Sequence, residues 1–106
     1  MSRRRDTFTA LADPTRRAVL DLLRKRETLT AGEIAARFPR VSRAAVSKHL
    51  RVLREARLVR AQERGRERHY RLDARRLADQ RAWLDKFAPL WEESLAQLKR
   101  QVEGDR

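Results

Sequence analysis

A chain of 106 residues has room for one small domain and its core, and hardly for a second domain or an enclosed catalytic pocket. Its 27 basic and 15 acidic side chains give a formal charge of +12, which points to a polyanionic partner, either nucleic acid or an anionic membrane surface. The chain has no cysteine, which excludes disulfides and thiolate metal sites, and no apolar run approaches the roughly 18 residues of a membrane span.

The charge is uneven. Residues 1–76 hold 22 basic and 9 acidic side chains, residues 77–106 hold 5 and 6. The first part therefore reads as the region that meets the polyanion, and the near-neutral end as something else within the same structural domain. Ser2-Arg3-Arg4-Arg5-Asp6 has no apolar signal core behind it, so a cytoplasmic location is expected. Arg3 to Arg5 form either a DNA-touching arm or a solvated terminus.

Phe8 and Leu11, one turn apart, suggest a short first helix over Thr7–Ala12. Asp13-Pro14 opens a second, with Asp13 as N-cap and Pro14 at the first helical position. Ala18, Val19, Leu22 and Leu23 supply its apolar side, and Arg16, Arg17, Asp21, Arg24 and Lys25 its wet side. Thr30-Ala31-Gly32-Glu33 matches a capping box, so a third helix runs through Ile34, Ala35 and Phe38. Phe38-Pro39-Arg40-Val41 then makes a turn, and Ser42 caps a fourth helix.

On that fourth helix Val46, Leu50 and Leu53 project to one side, and Arg43, Ala44, Ser47, Lys48 and Arg51 to the other. Cations interleaved with short side chains let a helix approach a phosphate-lined groove and still place donors at base edges. Two capped helices joined by a short turn, the second polar and basic outside, form a helix-turn-helix pattern.

The helix should end near Ala56–Arg57. Leu58 to Glu63 reads as a strand, Arg64-Gly65-Arg66 as a turn, and Glu67 to Leu72 as the returning strand, with Tyr70 and Leu72 on one face. Alone, such a two-stranded basic hairpin is usually only solvated. Beside a helix-turn-helix it reads as a wing whose Arg64, Arg66 and Arg68 touch phosphates or enter a minor groove.

From Leu77 the spacing turns helical again. Leu84, Phe87, Trp91, Leu95, Leu98 and Val102 share a stripe flanked by Trp83 and Leu90. That is more apolar surface than a wing-sized core can cover, so the segment is expected to pair with its copy in a second subunit beside the first helix, although part of it can fold onto its own domain. Pro89 implies a kinked helix or two successive helices.

Ala10-Leu11-Ala12-Asp13-Pro14-Thr15-Arg16-Arg17, then Leu20-Asp21-Leu22-Leu23, then Ser42-Arg43-Ala44-Ala45-Val46-Ser47-Lys48-His49-Leu50-Arg51-Val52-Leu53, then Gly65-Arg66 before Tyr70, resemble an ArsR/SmtB-type winged helix-turn-helix repressor. The resemblance covers nearly the whole chain. It implies a mainly α fold with a small β-hairpin, and a homodimer joined through its N- and C-terminal helices. It also implies that the Ser42–Ala56 helix reads the major groove of double-stranded DNA, and that binding represses by occluding a promoter. Many such proteins sense metals through cysteines before the reading helix or through acid and His ligands on the terminal helix. Here Leu29 to Ala35 has no Cys, and no His follows Leu77. With only His49 and His69, no metal site and no cofactor is expected. The aromatic ending is similar to a branch without metal ligands, often autoregulatory or paired with a small lipid-transfer-like protein; any effector or protein partner is unknown.

Ala44, Ser47, Lys48 and His49 are thus the candidate base-reading residues, Ser42, Arg43, Arg51, Arg64, Arg66 and Arg68 the candidate phosphate and wing contacts, and Phe8, Leu11, Leu84, Phe87, Trp91, Leu95 and Leu98 the candidate dimer contacts. His49 sits at the margin of the two helix faces, where it either touches DNA or packs at the helix junction. No nucleophile and base are paired in a pocket-forming context, so no enzyme is expected. The rival reading is a sequence-indifferent basic module, associated with RNA or the ribosome.

Overall fold

The computed structural model describes residues 6–104, so the basic run Arg3 to Arg5 lies outside the described residues. Its order is α1 (Thr7–Leu11), α2 (Pro14–Lys25), β1 (Leu29–Thr30), α3 (Ala31–Ala36), α4 (Arg43–Glu55), β2 (Val59–Arg64), β3 (Glu67–Leu72), α5 (Arg75–Asp85) and α6 (Ala88–Gly104).

Local chemistry sets most helix ends. Asp13 Oδ2 accepts the Arg16 N–H at 2.9 Å at the start of α2, and that bond holds the Asp13 carboxyl below its usual range. At α3 the capping box closes both ways: Thr30 Oγ1 accepts the Glu33 N–H at 3.1 Å, and Glu33 Oε1 accepts the Thr30 N–H at 2.9 Å. Ser42 Oγ accepts the Ala45 N–H at 3.1 Å and starts α4. That helix ends in a Schellman motif, with the Leu58 N–H on the Leu53 carbonyl and the Arg57 N–H on the Arg54 carbonyl, both at 2.9 Å. Arg57 takes the left-handed conformation there (φ 63°) in place of the usual glycine.

Three expectations need correction. The third helix stops at Ala36, because Arg37 is its C-cap and Phe38 already belongs to the turn. On α2, Leu20 is buried and Ala18 exposed; α2 packs on α1, α4 and β3, which turns its buried face toward the larger side chain. The sheet has three antiparallel strands ordered β1-β3-β2, where two were expected. Leu29 pairs with Tyr70 and Thr30 with His69, so the two residues before α3 form a strand only through partners 41 and 39 positions away.

A single core joins these elements. Val19, Ile34, Val46, Leu50, Leu53 and Leu58 are its largest fully buried side chains, with Leu20, Leu23, Val59 and Tyr70 around them. Asp73, 9% exposed, anchors the far end of the sheet. Its Oδ2 accepts from Arg75 Nη2 at 2.7 Å and lies 3.3 Å from Arg60 Nε, and its Oδ1 accepts from Arg75 Nε at 3.0 Å. The Arg75 guanidinium, ahead of the opposing cost of burial, lowers the Asp73 pKa to about 2. A carboxylate whose folded pKa is depressed stabilises the fold above its unfolded value, near 3.8, and that stability is lost as pH falls toward 2. With both arginines largely exposed, the contribution is on the order of 1 kcal/mol. Urea midpoints of the protein and of Asp73→Asn should therefore differ at neutral pH and converge as pH falls from about 4 to about 2. A gap that persists in acid would contradict this role.

The last two helices behave differently. Pro89 splits them: α5 closes through the Phe87 N–H on the Leu84 carbonyl at 3.0 Å, and Pro89 is the second residue of α6, where no N–H is needed. Neither helix buries a single residue. The Cα radius of gyration is 17.7 Å, against about 13 Å for a compact chain of this length. Of the segment after residue 76, Leu77 packs on the core while the rest of the apolar stripe stays open. No helix among the described residues is long and apolar enough to cross a membrane.

Candidate nucleic-acid interface

Helix α4 carries the candidate site because its two sides are sharply different. Val46, Leu50 and Leu53 are at most 2% exposed, whereas Ala44, Ser47, Lys48 and Arg51 face solvent. Docking the apolar side on the core fixes which side chains point outward, and the short Ala44 and Ser47 leave room for close approach to a groove.

At the start of the helix, the Ser42 oxygen is engaged in the cap, which leaves its hydroxyl proton for an external acceptor. Arg43 reaches back over α3. A methyl group on Gly32 would sit 3.3 Å from Arg43 Nη2, so this guanidinium lies against the first turn of α3 at the seam of the two helices.

His49 is drawn toward the protein. Its Nδ1 lies 3.4 Å from Arg16 Nη1 and 4.0 Å from Asp13 Oδ2, with the side chain 16% exposed. The same Arg16 donates to the carbonyls of Ala10 at 2.7 Å and Thr9 at 3.1 Å. Arg17 Nη1 donates to those of Leu11 and Ala12 at 2.7 and 3.1 Å. Arg17 stays on the wet face, as expected, and Arg16 is partly buried; both satisfy open carbonyls at the end of α1. Arg16 thus links α1, the start of α2 and the reading helix. Helical periodicity gives no sign of such a contact, since the guanidinium reaches backward out of its own helix.

In the wing, Gly65 adopts φ +64° at the turn, a conformation that glycine takes at little cost. Arg64, Arg66 and Arg68 are all exposed, but they are not equivalent. Arg68 pairs across the hairpin with Glu63 at 3.3 Å, and Tyr70 and Glu63 hold its proton more firmly than usual. Arg64 and Arg66 have no side-chain partner among the described residues, so they are the wing cations open to an external anion. His69, by contrast, sits in the sheet with Nδ1 buried and unbonded and Nε2 3.6 Å from Glu67.

The candidate dimer residues gather on a different part of the surface. Phe8 of α1 meets Trp83 edge-on at 5.6 Å between ring centroids, and Trp83 meets Phe87 at 4.9 Å. Leu84, Phe87 and Trp91 are each about two-fifths exposed, and Leu95 and Leu98 more than half. Leu11 departs from the group, being partly buried against the protein's own core. Among the described residues no three His, Asp or Glu side chains converge on one point.

Residues 11–62 match the model of a helix-turn-helix domain. The chain is 43% identical over 98 residues to an HTH-type transcriptional regulator of Mycobacterium tuberculosis, covering 92% of this chain and 87% of that one. It is 38% identical over 82 residues to the transcriptional repressor SdpR of Bacillus subtilis, covering 77% and 89%. Among solved structures it resembles the homodimeric winged helix-turn-helix DNA-binding domain of a possible ArsR-family transcriptional regulator from Mycobacterium bovis. That likeness has a TM-score of 0.61 and 27% identity over 77% of this chain and 74% of that one.

Proposed function

The chain belongs to the ArsR-type winged helix-turn-helix transcriptional regulators, and on that premise we propose that it is a cytoplasmic homodimeric repressor that reads an inverted-repeat operator without a metal. The observation that carries this reading is the two-sided character of α4, buried through Val46, Leu50 and Leu53 and open through Ala44, Ser47, Lys48 and Arg51. Ser47 and Lys48 are the specificity residues, a short donor for a base edge and a longer one for guanine. Ser42, Arg43 and Arg51 hold phosphates beside them, and Arg64 and Arg66 grip the strand at the wing. With Nδ1 held toward Arg16, His49 offers DNA only its remaining ring edge.

Homodimer formation through residues 77–106 and Phe8 is supported by the uncovered apolar stripe and by the homodimeric relative. Occupied half-sites about one helical turn apart would exclude polymerase from an overlapping promoter. Independence from metal is supported by the donor set: no cysteine, one histidine turned to Arg16 and another set in the sheet.

Selection of bound sequences from a random duplex pool, with and without added divalent metals, tests all of this. One inverted repeat should be enriched equally in both arms. Enrichment of nothing would favour a sequence-indifferent basic module, and enrichment only with metal would contradict the metal-free reading. Lys48→Ala should then lower affinity for the selected site by about 1–3 kcal/mol and relax specificity at one position, while leaving its affinity for unrelated DNA nearly unchanged. Equal losses on both would reduce Lys48 to a phosphate contact.

A further inference from the structure

Beyond the open side of α4 lies a second basic feature that neither the reading helix nor the wing tip explains. The second half of α4 and the edge strand β2 enclose an open groove of about 890 Å³, lined by six arginines against Glu55 and Asp73. Arg51 and Arg54 enter from the helix, Arg60 from β2 and Arg71 from β3. Arg60 and Arg71 are directly paired across the hairpin, so two like charges stand side by side on one face of the sheet. That arrangement is unfavourable unless a counter-charge lies between them.

Asp73 supplies part of that charge to Arg60 at 3.3 Å, but its main partner is Arg75 at 2.7 Å. The guanidinium groups of Arg51, Arg54 and Arg71 have no ion pair or side-chain hydrogen bond among the described residues. Unpaired guanidinium groups converging on one open groove make a site for a bidentate oxyanion, and phosphate is the anion whose geometry they match.

We propose that this groove grips the phosphodiester backbone of the same duplex that α4 reads, through Arg54, Arg60 and Arg71. The proposal rests on the DNA-binding reading above. Two observations favour a DNA strand over a small phosphorylated molecule. The groove is open to solvent, where a site for a small ligand would be enclosed. It is also continuous with the reading face, since Ser47, Arg51 and Arg54 follow one another at helical spacing. A strand leaving the major groove at Ser47 would pass Arg51 directly into it.

The experiment measures affinity across a salt series for the full chain and for Arg54→Ala/Arg71→Ala, on duplex from the protein's own promoter and on scrambled duplex. Arg24→Ala/Lys25→Ala removes the same charge from α2, where both groups pair with Asp21, and serves as the control. Each lost phosphate contact should lower the slope of log affinity against log salt by roughly 0.9, so by roughly 2 for the pair, with binding on the order of tenfold weaker at physiological salt. Both duplexes should lose alike, leaving their ratio unchanged, and Arg54→Lys/Arg71→Lys should restore most of the slope. A slope change no larger than the control's would overturn the groove. So would tripolyphosphate binding that calorimetry detects in the wild type and not in the alanine pair, if the pair binds DNA normally. Absence of any operator preference in the wild type would instead refute the sequence-specific reading, and the slope on scrambled DNA would still decide the groove.

Discussion

Trp91→Glu should yield a monomer that folds normally and binds its operator about 10²–10⁴-fold more weakly, the factor by which linked half-sites exceed one alone. Trp91 is 39% exposed on α6 and follows Phe87 by one turn on the same stripe as Leu95 and Leu98. A second copy laid along this stripe would desolvate a carboxylate at position 91 without a partner, at a cost of several kcal/mol. In the monomer the same carboxylate stays in water on a helix that buries nothing, so stability should move by no more than about 0.5 kcal/mol. Sedimentation and circular dichroism separate the two effects: halved mass with an unchanged far-ultraviolet spectrum is expected, with a melting midpoint lowered only by the lost association, whereas an unchanged mass would leave the stripe unexplained.

The second large effect lies on the opposite side of the reading helix. Leu53 is 0% exposed, and its carbonyl closes the Schellman turn onto Leu58, itself 0% exposed. Leu53→Ala should cost about 2–5 kcal/mol through lost burial and the cavity left behind. In a domain whose total stability is about 5–15 kcal/mol, that is a large share. Thermal midpoints should fall by roughly 10–30 °C, while Lys48→Ala, about one and a half turns away on the open side, should hardly move them. A loss under about 1 kcal/mol for Leu53→Ala would mean that α4 is not docked on the core as described.

What could be read from the chain was mostly what neighbouring residues decide among themselves. Asp13-Pro14, Thr30 with Glu33, Ser42 and Gly65 mark boundaries through bonds spanning three residues or through a single backbone angle, and each stands where expected. Harder to see were features that distant partners create. Leu29 and Thr30 form a strand only because Tyr70 and His69 lie opposite. Arg16 and Arg17 reach backward to satisfy carbonyls at the end of another helix. Asp73 gathers Arg60 and Arg75 from either side of it in sequence, and no pattern of spacing announces that knot.

The site shows the same division. The projection of α4 separates Ala44, Ser47, Lys48 and Arg51 from the core without any tertiary information, but the contact that His49 makes at the margin comes from Arg16 on another helix. On the wing, three arginines of equal appearance in sequence divide once Glu63 pairs with Arg68. Pro89 allowed a kink or a break, and the break followed because α5 closes onto its own carbonyls before α6 begins.

The most direct measurement is a competition, at one fixed salt concentration, between duplex carrying the inverted repeat from the protein's own promoter and scrambled duplex of equal length. Reading by the open side of α4 predicts a preference of about 10³-fold or more for the repeat, with protection of two half-sites about one helical turn apart or a multiple of it. Equal affinity for the two duplexes would contradict sequence-specific recognition by this helix.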